Sequence, residues 1–155
     1  MRTASHIGHR IGALLVLALA PLAGTADAQT IGFQVGGSVD PEQVYVGTYF
    51  ESPELASNFH VKVGLDGGFG SDVTSAAISL DFLYKIEVGT SWKIYQGGGP
   101  VVYIVRFGDP ATTDTTGGLG VVFGFAHEKG FFSEFRVAGG DGPAVKFGVG
   151  FAIRL

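Results

Sequence analysis

The sequence predicts an all-β protein, a closed antiparallel barrel of eight up-and-down strands. Three observations predict this fold class. Apolar and polar residues alternate with period two through residues 29–155, and clusters of Gly, Pro, Asp and Ser interrupt the alternation at short intervals. No stretch of this region has a helical period with caps. Only 15% of the 155 residues are charged, 46% are hydrophobic and 26 are glycine, whereas soluble domains average about 25% charged residues.

Residues 1–28 are predicted to be a cleaved signal peptide that precedes a single domain at 29–155. Arg2 and Arg10 form a basic start, an apolar run follows at 11–20, and Ala26-Asp27-Ala28 supplies small residues for cleavage before Gln29. The alternative is a membrane anchor, but Pro21 ends the apolar run well short of the roughly 20 residues that a spanning helix needs. The chain has no cysteine, which excludes a disulfide scaffold.

The alternation predicts eight strands joined by short connections, so that neighbours along the chain pair as a meander. The predicted strands are residues 30–37, 43–51, 58–66, 73–84, 91–106, 117–127, 131–139 and 144–155. The fifth strand contains Gly97-Gly98-Gly99-Pro100. Proline within a paired strand predicts a bulge or bend there, and the face occupied by the residues after Pro100 stays open.

The two faces of the strands differ in a way that favours a transmembrane barrel. The polar face consists largely of Gly, Ala, Ser, Thr and Tyr, which suits a narrow lumen better than an aqueous surface. The other face carries Phe, Val, Ile and Leu with almost no charge, as a lipid-facing band does. A closed barrel also leaves no strand edge in lipid. The alternative is a soluble periplasmic barrel whose apolar face points inward and binds an apolar ligand.

Three segments resemble the bacterial outer-membrane β-barrel domain family, at the scale of its small OmpA/OmpX-type members. They are residues 80–85, 92–100 and 131–137, and the resemblance extends over 29–155. It implies an outer-membrane location, outer-membrane lipids and the outer-membrane assembly machinery as partners, and periplasmic termini. It also implies that the last strand is the assembly signal, where Leu155 replaces the usual terminal Phe. The residues of this signal are Phe147, Val149, Phe151, Ile153 and Leu155.

Periplasmic termini place four connections at the cell exterior and three in the periplasm. The longest exterior loop, 107–116, is polar and acidic, which makes it a candidate contact site for an extracellular partner. Tyr84, Trp92 and Tyr95 lie near one periplasmic turn, where an aromatic girdle is expected.

Alternation also places nine charged residues in the lumen. They are Glu51, Lys62, Asp66, Asp81, Lys93, Glu134, Arg136, Lys146 and Arg154. Five positive and four negative charges nearly cancel, and unpaired burial is prohibitive, so we expect these groups to pair as a plug that holds the barrel shut. The alternative is a proton or ion path through the lumen.

Residues that carry chemistry are few, so the sequence predicts a non-enzymatic protein with a structural, envelope-integrity or surface-contact role. A lipid-modifying enzyme, the alternative, needs Ser, His and an acid at one rim. Ser133 and Glu128 are near His127 in sequence but match no motif, and His60 alone is a poor metal ligand. One copy of a G-G-x-G-x-D pattern at 67–72 predicts a turn, because calcium sites need stacked repeats. No cofactor or metal is expected, and the pI of 5.4 argues against nucleic-acid binding.

Overall fold

The protein is a closed barrel of eight antiparallel strands, as the alternation predicts. A computed structural model describes residues 29–108, 112–140 and 142–155, so the predicted signal peptide lies outside the described residues. Each strand pairs with its neighbours along the chain, and β8 closes the barrel on β1. The strands are β1 (Thr30–Val39), β2 (Gln43–Glu51), β3 (Phe59–Phe69), β4 (Val73–Val88), β5 (Trp92–Phe107), β6 (Thr112–His127), β7 (Phe131–Ala138) and β8 (Val145–Arg154).

The strands are strongly staggered around the barrel. When paired residues are followed from Phe125 of β6 through β7, β8 and β1 to β5, the path returns to β6 at Thr115, ten residues earlier. Eight strands with this shear are tilted by about 40° and enclose an interior that side chains alone can fill. β1 begins and β8 ends at one end of the barrel, here named the terminal end; the opposite end is named the far end.

The predicted loop 107–116 is wrong, because most of it is strand. Residues 112–116 pair with 103–107, so that only residues 108–111 connect β5 to β6. Thr112, Thr113, Thr115 and Thr116 are β-branched and fit a paired strand, which outweighs the polarity that suggested a loop. β3 and β4 likewise extend beyond their predicted limits.

Of the bulge or bend predicted at Pro100, the bulge is wrong. Ser79 pairs with Val101 and Phe82 with Gly98, so the register is the same on both sides of the proline. A Cβ atom on Gly97 would overlap the carbonyl oxygen of Phe82, and glycine therefore lets the strands approach closely here. The alternation continues unbroken, and it directs Tyr103 into the lumen.

The apolar face points outward along every strand. Large apolar side chains on this face remain exposed, up to 67% at Val121 and 73% at Leu119, whereas Asp81 inside the barrel is fully buried. This arrangement is the reverse of a soluble barrel with an apolar interior. Within the described residues there is no helix with the length and hydropathy to span a membrane.

Candidate functional site

The centre of the lumen holds a buried pair between β4 and β7. Arg136 donates two hydrogen bonds to Asp81, from Nη1 to Oδ1 at 3.0 Å and from Nη2 to Oδ2 at 2.6 Å. Both residues lie on the inward face because each is an even number of positions from other buried residues of its strand. This two-point geometry is the strongest form of ion pair in proteins and fixes both side chains.

Glu134 joins this pair to a second cation. Its carboxylate accepts hydrogen bonds from the Lys62 ammonium and from the Tyr95 hydroxyl, the latter at 3.0 Å, and it lies 3.6 Å from Arg136. The Lys62 ammonium is also 5.2 Å from the centre of the Tyr49 ring. Two carboxylates and two cations thus form a neutral cluster, in which every charge has a partner.

A third pair lies nearer the far end. Lys146 donates to Asp66 Oδ2 at 2.5 Å, and Gln34 donates to Oδ1 of the same carboxylate at 3.0 Å. The Lys146 ammonium is 4.1 Å from the centre of the Tyr45 ring, close enough for a cation–π contact. Ser75 donates to Gln43 at 2.7 Å in the next layer.

Apolar side chains and a loop close the lumen at the far end. Val101, Tyr103 and Val105 of β5 are almost completely buried and pack with Ala77 and Ala138. Gly142 and Pro143, in the connection between β7 and β8, are buried as well, and a Cβ atom on Gly142 would overlap the Tyr103 ring. The far end of the lumen is therefore filled rather than open.

A fourth pair, Glu51 with Lys85, lies toward the terminal end. The Lys85 ammonium donates to Glu51 Oε1, and His60 Nδ1 lies 3.5 Å from the same oxygen. Sequence reasoning missed Lys85 because it ended the fourth strand at residue 84. The signal was present, since Lys85 continues the inward series of Asp81 and Leu83.

The mouth at the terminal end is a cavity of about 470 Å³, lined in part by Glu51, His60, Lys85 and Phe132. Two predicted lumen residues lie at its rim instead of inside the barrel. Lys93 is 41% exposed and pairs at 3.2 Å with Glu87, itself 75% exposed. Arg154 is exposed, and no ion pair joins it to another described residue. Both occupy inward positions at strand ends, where the inward face has already reached solvent.

In the part of the chain that the structure describes, His127 forms no hydrogen bond or ion pair with Glu128 or Ser133. His127 faces outward, its ring centre 4.6 Å from that of Trp92, and its Nδ1 accepts a hydrogen bond from the Lys129 amide at 3.1 Å. Glu128 accepts from Ser91 at 3.2 Å, and Ser133 faces outward on β7. Within 29–108, 112–140 and 142–155, no group of three His, Asp or Glu side chains has the geometry of a metal site.

Aromatic side chains surround the outer surface near the terminal end. Three contacts define this ring: Tyr84 on Phe59 with ring centres 5.0 Å apart, Trp92 on His127, and Phe131 on Phe151 at 5.2 Å. Including Tyr95 in this girdle was wrong. Its side chain points into the lumen, where its hydroxyl is bonded to Glu134.

β8 presents four of the predicted assembly residues on its outward face, and the fifth, Leu155, follows directly after the strand. Each of them is exposed, whereas Lys146 between two of them is buried. The residues are Phe147, Val149, Phe151, Ile153 and Leu155. The strand is paired along both edges, with β1 and β7, so its outward side chains are the part accessible to another molecule in the folded barrel.

Comparison with known proteins identifies the fold. No protein-family profile and no curated protein matches the sequence. Among solved structures, the barrel is similar to the N-terminal β-barrel domain of Pseudomonas aeruginosa OprF, with a TM-score of 0.63, 14% identity, and coverage of 82% of this chain and 98% of that one. It is similar to Neisserial surface protein A, with a TM-score of 0.62, 12% identity, and coverage of 84% and 98%.

A third similar structure is the outer membrane enzyme PagL, with a TM-score of 0.54, 14% identity, and coverage of 81% of this chain and 99% of that one. The resemblance to small outer-membrane barrels is thereby confirmed at the level of the fold. Identities this low carry no activity from one protein to another, because one fold supports many functions.

Proposed function

We propose that this protein is an integral outer-membrane β-barrel with a non-enzymatic role in envelope integrity or surface contact. One observation carries the proposal, namely the sidedness of the barrel. Its outward surface is an almost continuous apolar band, and its buried charges lie inside. Soluble proteins rarely expose contiguous apolar patches larger than a few hundred Å². A hydrocarbon environment removes this conflict.

The closed backbone supports the same proposal. Every strand has two partners, so the hydrogen-bonding groups of the backbone are satisfied within the barrel, as a membrane interior requires. The aromatic ring near the terminal end fits the interface between hydrocarbon and headgroups. Periplasmic termini, which the resemblance implies, place this ring at the periplasmic interface and the far end at the cell exterior.

The contents of the lumen support a structural role rather than transport. The central ion pairs fill the middle layer, while Tyr103 and the loop residue Pro143 fill the far end. A solute would have to displace bidentate and doubly bonded charges in order to pass, at a cost of several kcal/mol for each unpaired ion.

The chemistry of the rims supports a non-enzymatic role. Hydrolysis by a serine needs its hydroxyl within hydrogen-bond reach of a base. His127 instead accepts from the Lys129 amide, while the Oγ of Ser52, near His60, donates to the Pro53 carbonyl. These contacts hold turns in place.

The test is fractionation combined with gel mobility of unheated and heated samples. We expect the protein in the outer-membrane fraction, soluble only with detergent, and migrating differently before and after heating. Recovery in the soluble periplasm without detergent would overturn the proposal.

A matched pair of variants tests the lipid contact itself. Val121 lies near the middle of β6 on the outward face, and Val121→Arg should destabilise the barrel in vesicles by about 2–4 kcal/mol. Leu55 is similarly exposed but lies in the turn between β2 and β3, so Leu55→Arg should have little effect. Equal effects of the two substitutions would contradict a lipid-facing β6.

A further inference from the structure

Along the described strands, the outward face of the barrel carries a single formally charged side chain, that of Arg106. Among the described strand residues, every Lys, Arg, Asp or Glu other than Arg106 occupies an inward position. Arg106 follows Val102 and Ile104 on the outward side of β5 and is exposed at the far end of the strand. Arg106 is therefore an isolated cation at the far end of an apolar outer surface.

The height of Arg106 places it at a membrane interface, if the barrel spans a membrane as proposed above. Trp92 and Arg106 share the outward face of β5 and are 14 residues apart. At about 3.3 Å per residue and a tilt of about 40°, they are separated by roughly 35 Å along the barrel axis. The apolar band of an outer-membrane barrel is about 25 Å tall, and the two headgroup layers of a bilayer add roughly 10–15 Å in total. When Trp92 lies at one interface, Arg106 lies among the headgroups of the opposite leaflet.

Among the described residues, the neighbours of Arg106 do not compensate its charge. Its paired residues on the adjacent strands are Thr74 and Thr113, which are exposed and share the outward face. No described residue forms an ion pair with Arg106. A cavity of about 260 Å³ adjoins it, lined also by Thr74 and by Asp72 of the turn between β3 and β4. No ion pair joins Asp72 to Arg106 in the described structure, which leaves the guanidinium free to bind an external anion.

We propose that Arg106, together with Thr74 and Thr113, binds a phosphate group of a lipid in the leaflet at the far end of the barrel. A guanidinium offers two parallel N–H donors that match two phosphate oxygens, and the flanking hydroxyls can donate to the third. Headgroup phosphates are the anions present at this height. With the termini in the periplasm, as the resemblance implies, this is the outer leaflet, where the phosphates belong to lipid A. This inference rests on the proposed membrane function and names its lipid partner.

The experiment uses the full barrel in nanodiscs of zwitterionic phosphatidylcholine with added lipid A. The probe is lipid A with its phosphates, compared with the same lipid after their removal. Native mass spectrometry measures how many lipid A molecules remain bound. We expect the wild type to retain the phosphorylated form about tenfold better than Arg106→Gln does, since a hydrogen-bonded ion pair contributes roughly this factor. The doubly substituted Thr74→Val/Thr113→Val barrel should retain an intermediate amount.

Two controls separate this site from general charge effects. Lys129→Gln removes an exposed cation from a turn at the terminal end and should behave as wild type. Arg106→Lys keeps the charge without the two-point geometry and should retain less lipid than wild type. Equal retention by wild type and Arg106→Gln, or equal retention of both lipid forms by the wild type, would overturn the proposal.

Inorganic phosphate distinguishes the two sources of the anion. Displacement of lipid A by millimolar phosphate would show a site for the free ion and overturn the assignment to a lipid. Each variant is checked for altered gel mobility after heating, which reports barrel formation. A barrel that inserts normally but shows no phosphate preference would refute the Arg106 site while leaving the membrane function intact.

Discussion

Replacing Arg136 by methionine tests whether the central ion pairs hold the barrel together. The substitution keeps most of the side-chain volume but removes both hydrogen bonds to Asp81 and the neighbouring charge 3.6 Å from Glu134. Asp81 then remains fully buried, with only Ser79 Oγ at 3.5 Å, which is too long to replace a guanidinium. Breaking a buried pair from one side destabilises proteins by about 3–5 kcal/mol, because the remaining charge is left without a partner.

The assay is urea unfolding of the barrel in vesicles, followed by the fluorescence of its single tryptophan and by gel mobility. We expect Arg136→Met to lower the free energy of unfolding by about 3–5 kcal/mol. The matched control is Lys93→Met, which removes an exposed pair at the rim and should lower it by at most about 1 kcal/mol. The double substitution Asp81→Asn/Arg136→Met removes both charges and should recover part of the loss.

Two results would refute this reasoning. One is a loss for Arg136→Met no larger than that for Lys93→Met, which would mean that solvent or nearby groups compensate Asp81. The other is additivity of the Asp81→Asn and Arg136→Met effects in the double variant. Residues in one buried pair should instead show a coupling energy of about 0.5–3 kcal/mol.

The remaining predictions concern packing, conductance and assembly. Gly97→Ala should destabilise the barrel by about 1–3 kcal/mol in the same urea assay, because the added Cβ would overlap the Phe82 carbonyl oxygen. The control is Gly139→Ala, which should be nearly neutral because a Cβ there meets open space. Similar urea midpoints for the two variants would contradict the close approach of the strands at Gly97. Neither the wild type nor Arg136→Met should carry sustained single-channel current in planar bilayers, and large steady currents from the wild type would exclude a closed lumen. Leu155→Phe should speed insertion by reconstituted assembly machinery without changing the rate of spontaneous folding into vesicles. An equal effect on both rates would argue against a recognition role for residue 155.

Much of the fold could be predicted because strand alternation is a local property. In β8 the series from Phe147 to Ile153 points outward and Lys146 points inward, as period two requires. Where prediction failed, a local signal was overridden. The polarity of 112–116 suggested a loop, but pairing with β5 retained these residues in a strand. Pro100 suggested a bulge, but β4 and β5 pair in the same register on both sides of it.

The candidate site was less predictable than the fold. Alternation correctly placed Asp81, Glu134 and Arg136 inside the lumen. It also placed Lys93 and Arg154 there, because it predicts the face of a residue but not its position along the barrel axis. Arg106 drew no attention in the sequence, because the face of residues after Pro100 was open. Once the register is known, its position as the lone outward charge follows directly.

The sequence by itself determined which side chains share a face of the barrel, because successive residues of a strand point to opposite sides whatever its partners are. Only the tertiary structure decided which charges meet. Lys62 and Glu134 are 72 residues apart and lie on β3 and β7, and Arg136 and Asp81 are 55 apart. Their contact depends on the ten-residue stagger of the closed barrel, which brings distant strands to a common height across the lumen. That stagger is a property of all eight pairings together, so no single strand encodes it.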